Sequence, residues 1–99
     1  MSFDFTGRRA VVCGASRGIG RAIALGLAEA GAAVSICARG AETLEATRGE
    51  VAAFGHTAHA GICDLANAAA IREYIAAAAQ ALGGIDILVP YVVDSAADL

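Results

Sequence analysis

Val12-Cys13-Gly14-Ala15-Ser16-Arg17-Gly18-Ile19-Gly20 is the stretch that decides the fold. Its glycines have G-x3-G-x-G spacing and follow the short apolar run Arg8-Arg9-Ala10-Val11-Val12-Cys13, which reads as a buried strand. Beyond them Ile19, Ile23, Leu27 and Ala30 fall on one helical face, and Gly31 is placed to cap that helix. A strand, a tight glycine turn and a helix in that order suit a phosphate group. Glycine permits positive φ and close backbone approach, while the free N–H groups and positive end of the helix attract an anion. The plain alternative is a tight strand-to-helix turn with no ligand.

Working outward, Ala33 to Ala38 reads as a second strand, and Leu44, Val51 and Phe54 mark a second helix closed by Gly55. A weaker third strand covers about His56 to Ile62. Ile71, Ile75, Ala78 and Leu82 make a third helix ending at Gly83-Gly84, and Asp86-Ile87-Leu88-Val89 is a fourth strand. Strands alternating with helices predict an α/β fold built from βαβ units with a parallel sheet and right-handed crossovers. Pro90 cannot donate to a strand ladder, and Tyr91 to Leu99 offers no further element of usable length.

Composition bounds the chemistry. The 99 residues allow one domain, and 26 alanines account for nearly half of the 58% hydrophobic fraction. All seven basic residues are arginine, so chemistry needing a side-chain primary amine is excluded from this chain. The net charge of −3 argues against a nucleic-acid surface, but it is unevenly spread. Residues 1–40 hold five Arg against Asp4 and Glu29, whereas residues 41–99 hold two Arg against eight acids, so the first part suits a compact anion. The segment MSFDFTGRRA lacks the apolar stretch of a secretory signal, and the apolar stretch from Tyr74 to Val89 is too short and too interrupted to span a bilayer. A soluble, cytoplasmic protein with no membrane partner is expected.

Cys13, Cys37 and Cys63 are odd in number and lack CxxC spacing, which reads as buried thiols in a reducing compartment. All three fall toward strand C-terminal ends, a placement that would make them neighbours. His56 and His59 are an odd distance apart on one strand and so face opposite ways, at solvent or edge positions. No metal site is expected from either set. Asp64 and Asp86 lie at opposite ends of the sheet and form no acid/base pair.

The glycine run, together with Ala38-Arg39 after the second strand, Asp64-Leu65 after the third and Gly84-Ile85-Asp86-Ile87-Leu88-Val89 at the fourth, resembles the N-terminal half of a short-chain dehydrogenase/reductase. It is similar to 3-oxoacyl-carrier-protein reductases and their relatives over about residues 5–89. The resemblance implies a Rossmann-type half with four parallel strands in order 3-2-1-4 and three helices, a nucleotide-binding domain over 5–89, and a divergent tail over 90–99. It also implies that Gly14, Gly18 and Gly20 form the phosphate turn, that Ile19 packs on the nicotinamide side, and that Asp64 and Leu65 meet the adenine. Asp64 has a second reading as the cap of the third helix. Ser16, Arg17 and Arg39 match positions that favour a 2′-phosphate, and their plain alternative is solvated surface charge.

The charge logic points the same way. Where an NAD site places an acid to hold the ribose diol, this chain has Arg39, which attracts a phosphate. Two unit charges about 4 Å apart at an effective dielectric of about 20 interact by roughly 4 kcal/mol before desolvation, so NADP is expected over NAD.

Departures from the family pattern limit the activity. Cys13 stands where Thr is usual, and Pro90-Tyr91-Val92-Val93 replaces an Asn-Asn-Ala-Gly segment. The family's catalytic Ser and Tyr-x-x-x-Lys have no counterpart, since Ser95 is the fourth residue after Tyr91. The expectation is a truncated NADP-dependent oxidoreductase with no catalytic residue of its own. The alternatives are a non-catalytic nucleotide-binding or interaction module, or a fragment without independent function. The fourth strand would then be an exposed edge through which copies self-associate.

Overall fold

A computed structural model describes residues 4–15 and 18–90. The chain runs β1 (Arg9–Cys13), α1 (Gly18–Glu29), β2 (Ala33–Ala38), α2 (Ala41–Ala52), β3 (Ala58–Ile62), α3 (Ala68–Leu82) and β4 (Ile87–Val89). The four strands form one sheet in order β3-β2-β1-β4, with every neighbouring pair parallel. β1 is therefore central, and its near-continuous apolar sequence follows from burial on both faces.

Alternation along the strands divides the interior in two. Val12, Val34 and Ile36 pack with Ala24, Ala28, Leu44 and Val51 of α1 and α2 on one face. Val11, Cys13 and Cys37 pack with Cys63, Tyr74 and Ala78 beneath α3 on the other. Small side chains at Ala24 and Ala28 let α1 approach the sheet closely, and each fully buried Val or Ile contributes about 1.5–3 kcal/mol relative to exposure. The alanine-rich α3 is a good helix former whose apolar stripe lies on the sheet. Among the described residues no helix is long and apolar enough to cross a membrane.

β1 and β4 each start one residue later than the sequence reading, and two boundaries differ by more. α2 stops at Ala52, so Phe54 lies in the following turn and is 43% exposed instead of completing the helix face. Tightened bonds from Phe54 N–H to Val51 O (3.2 Å) and Gly55 N–H to Ala52 O (2.9 Å), followed by positive φ at Gly55, turn the chain there. β3 starts at Ala58, leaving His56 outside it. The end of α3 is as the glycines imply: Gly83 takes φ 84°, and the N–H groups of Gly83 and Gly84 both donate to Ala79 O. Tyr91 to Leu99 lie outside the described residues.

Candidate functional site

Parallel strands place Gly14, Arg39 and Asp64 at one end of the sheet, after β1, β2 and β3 respectively. The strand order reverses between β1 and β4, and the glycine turn leaves β1 at that switch point, where open α/β sheets place their ligands. Gly14 and Gly18 take φ of 73° and 64°, values disfavoured for any residue with a Cβ. Gly20 is needed for a different reason. A Cβ there would lie 2.4 Å from the Gly14 carbonyl oxygen, so α1 can start this close to the end of β1 only with glycine at position 20.

The turn is tied to the sheet by the N–H groups of Gly14 and Ala15, which donate to Cys37 O at 2.9 and 3.2 Å. Its outer side carries Ile19, 49% exposed at the start of α1. Ser16 and Arg17, the other turn positions assigned to nucleotide contact, lie outside the described residues. Arg39 is exposed immediately beyond β2. Arg9, Arg21 and Arg48 are each committed to an acid, respectively Asp86, Glu50 and Glu45, whereas Arg39 has no acidic partner among the described residues. Its guanidinium is available to an anion.

Asp64 is exposed, and its Oδ1 accepts from Ala66 N–H at 2.9 Å while its main-chain oxygen accepts from Asn67 N–H. The cap of α3 is Asn67, whose side chain accepts from Ala70 N–H at 3.1 Å. This corrects the cap reading of Asp64: the residue shapes the turn before the helix. Leu65 beside it is half-buried against the α3 side of the core.

Sequence reasoning missed a polar group inside that core. Ser35 Oγ lies 2.5 Å from Tyr74 Oη and 2.8 Å from His59 Nδ1, and the rings of His59 and Tyr74 stack with centroids 6.1 Å apart. His59, on the edge strand β3, is thus half-buried and bonded, whereas His56 is exposed. Gly61 makes room for the tyrosine, since a Cβ there would meet Tyr74 Cδ1 at 2.6 Å. Burial pushes the Tyr74 phenol well above its ordinary pKa, against the lowering influence of Ser35, so this tyrosine stays protonated and structural.

The three cysteines are free, buried and gathered on this same face. Cys13 and Cys37 are register partners, and the hydrogen bond between them lowers Cys13 to about 7 while raising Cys37. Burial is the main cause that raises Cys63. Among the described residues no three His, Cys, Asp or Glu are disposed to hold a metal ion. At the far end of the sheet Asp86 is paired with Arg9, well away from Asp64.

Residues 8–92 match the family model described as short chain dehydrogenase. The chain belongs to that family. Among its relatives, this short-chain dehydrogenase chain is 45% identical over 87 residues to the rhamnolipids biosynthesis 3-oxoacyl-[acyl-carrier-protein] reductase of Pseudomonas aeruginosa, covering 88% of the chain and 34% of that protein. It is 40% identical over 87 residues to gluconate 5-dehydrogenase of Gluconobacter oxydans, with the same coverage. Solved structures agree on the fold. A short-chain type dehydrogenase/reductase from Mycobacterium marinum superposes with a TM-score of 0.81 at 41% identity, covering 87% of this chain and 34% of the other. A metagenomic short-chain oxidoreductase in complex with NADP gives 0.80 at 42% identity, covering 88% and 39%. The short-chain dehydrogenase chain described here therefore spans little more than a third of any of these proteins.

Proposed function

We propose that residues 5–89 are the NADP-binding half-domain of a short-chain dehydrogenase/reductase, in which Gly14, Ser16, Arg17, Gly18, Ile19, Gly20, Arg39, Asp64 and Leu65 contact the dinucleotide. The observation that carries this reading is the approach of Gly20 to the Gly14 carbonyl, which keeps position 20 without a side chain beside the end of β1 and supports a phosphate cradle at the switch point of the sheet. Arg39, exposed and without an acidic partner among the described residues, supports NADP over NAD. The similar metagenomic oxidoreductase whose structure contains NADP supports it further.

The bound dinucleotide would supply or accept hydride in reactions that interconvert carbonyl and alcohol. This chain's own residues would hold and orient it. These 99 residues hold no lysine and no Tyr-x-x-x-Lys, so NADPH-dependent turnover is not expected from them alone. Titration of the 99-residue chain with NADPH and NADH tests the reading. NADPH is expected to bind more tightly, with no NADPH-dependent carbonyl reduction. Equal affinity for the two, or robust turnover free of contaminants, would overturn it.

A specific feature favours a second reading as an association module. β4 pairs on one side only among the described residues, and its Leu88 is 56% exposed. An apolar edge of this kind favours pairing between copies. Concentration-dependent sedimentation that Leu88→Lys abolishes would support it, and a monomer at all concentrations would remove it.

A further inference from the structure

The proposed function leaves three thiols unused. Cys13 ends β1, Cys37 lies beside it on β2, and Cys63 follows β3, all packed on the α3 face. Cys37 is the middle member by strand order, with Cys13 its register partner on β1 and Cys63 just beyond β3 on its other side. Cys13 and Cys37 are direct register partners on adjacent parallel strands, which lie about 4.7–4.9 Å apart, inside the Cα separation a disulfide accepts. Cys37 is wholly enclosed and Cys63 nearly so, while Cys13 keeps 6% exposure next to the turn. It is the thiol a small oxidant reaches first.

We propose that Cys13 and Cys37 form a redox modification site, which hydrogen peroxide converts to an intramolecular disulfide that loosens the glycine turn. The Cys13 sulfur attacks the peroxide, breaking the O–O bond and becoming a sulfenic acid as water leaves. The Cys37 sulfur then attacks that sulfur, its proton departs with the hydroxyl as a second water, and the S–S bond forms. Two thiols lose two electrons and one peroxide gains them. The lowered pKa of Cys13 favours the first step, because the thiolate is the nucleophile.

Position gives the modification its effect. A disulfide needs Cβ atoms about 3.5–4.5 Å apart, closer than neighbouring strands hold them, so closure draws the ends of β1 and β2 together. Gly14 follows Cys13 directly, and the Gly14 and Ala15 N–H groups hang on the Cys37 carbonyl. The backbone that shifts is the cradle itself. The consequence for nucleotide rests on the function proposed above; the bond does not.

The arginines make the test direct, since trypsin places each cysteine in its own peptide: 10–17, 22–39 and 49–72. The reduced 99-residue chain is treated with hydrogen peroxide, alkylated, digested and mapped by mass spectrometry. Peptides 10–17 and 22–39 are expected joined with loss of two hydrogens, in the wild type and in Cys63→Ala, and separated again by dithiothreitol. A Cys37–Cys63 link, a link between copies, or only over-oxidised Cys13 in both proteins would overturn the site. NADPH affinity is expected to fall about fivefold or more on oxidation and to return on reduction, the low end of ordinary coupling between sites. Equal affinity of both forms would overturn the effect on the turn. If neither form binds NADPH, the nucleotide reading fails while the peptide map still decides the disulfide.

Discussion

Arg9 holds Asp86 with both its side chain and its backbone. The guanidinium Nε and Nη2 donate to the two carboxylate oxygens at 2.9 and 3.1 Å, and the Arg9 N–H donates to Oδ2 at 3.0 Å. In return Asp86 N–H donates to Arg9 O at 2.8 Å. The guanidinium also reaches the Gly83 carbonyl at the end of α3, so one arginine fastens the start of β1 to the segment leading into β4.

Hydrogen bonding to Arg9 holds the Asp86 carboxyl below its ordinary pKa, which fixes the sign of its pH dependence. A folded pKa below the unfolded one gives stability that is fully present above about pH 4 and lost as pH falls through the folded value. Asp86→Asn should unfold at lower urea than the wild type at pH 7, and the gap should close as the pH approaches 2. A gap unchanged across that range would show that the carboxylate charge contributes nothing.

Gly20→Ala forces a methyl against the Gly14 carbonyl. The expected cost is about 1–3 kcal/mol in stability, typical of overpacking against rigid backbone. NADPH affinity should fall about tenfold, equivalent to about 1.4 kcal/mol. Urea unfolding and a fluorescence titration measure the two separately. Gly26→Ala is the control, because nothing lies within 4 Å of a Cβ at that position.

Arg39→Glu should invert cofactor preference without harming the fold. NADPH affinity is expected to drop about tenfold or more as an attractive charge becomes repulsive, with NADH affinity kept or improved. Being exposed, the position should change stability by no more than about 0.5 kcal/mol. An unchanged NADPH:NADH ratio would remove Arg39 from the site.

Tyr74→Phe takes one partner from Ser35 inside the core but leaves His59. The loss should be about 1 kcal/mol in urea unfolding, near the mean for a single hydrogen bond, with nucleotide binding untouched. A loss of binding comparable to that of Gly20→Ala would tie this buried network to the cradle.

The strands and helices were legible because apolar spacing and glycine punctuation agree over most of residues 9–89, as at Ile71, Ile75, Ala78 and Leu82 before Gly83. The order β3-β2-β1-β4 came from family resemblance, since periodicity cannot say which strands pair. The glycine turn was legible for the same local reason as the helices: positive φ and close approach leave a mark in residue type. The Ser35, His59 and Tyr74 group left none, because it needs the register of β2 on β3 and the seating of α3 together. Asp64 shows a smaller limit. Both it and Asn67 are good caps by type, and only backbone geometry assigns the role to Asn67.

The pairing of Ala10 with Ile87 brings together residues from the two ends of the described chain. β1 meets β2 across a single helix, whereas β4 can join only after two more helices and β3 have been laid down. The added loop-closure entropy grows only as the logarithm of length, yet the three-residue β4 has few backbone bonds to offset it. Docking of β4 should therefore be the last event in folding and the first to reverse, and native-state hydrogen exchange should find its amides opening ahead of those of β1 and β2.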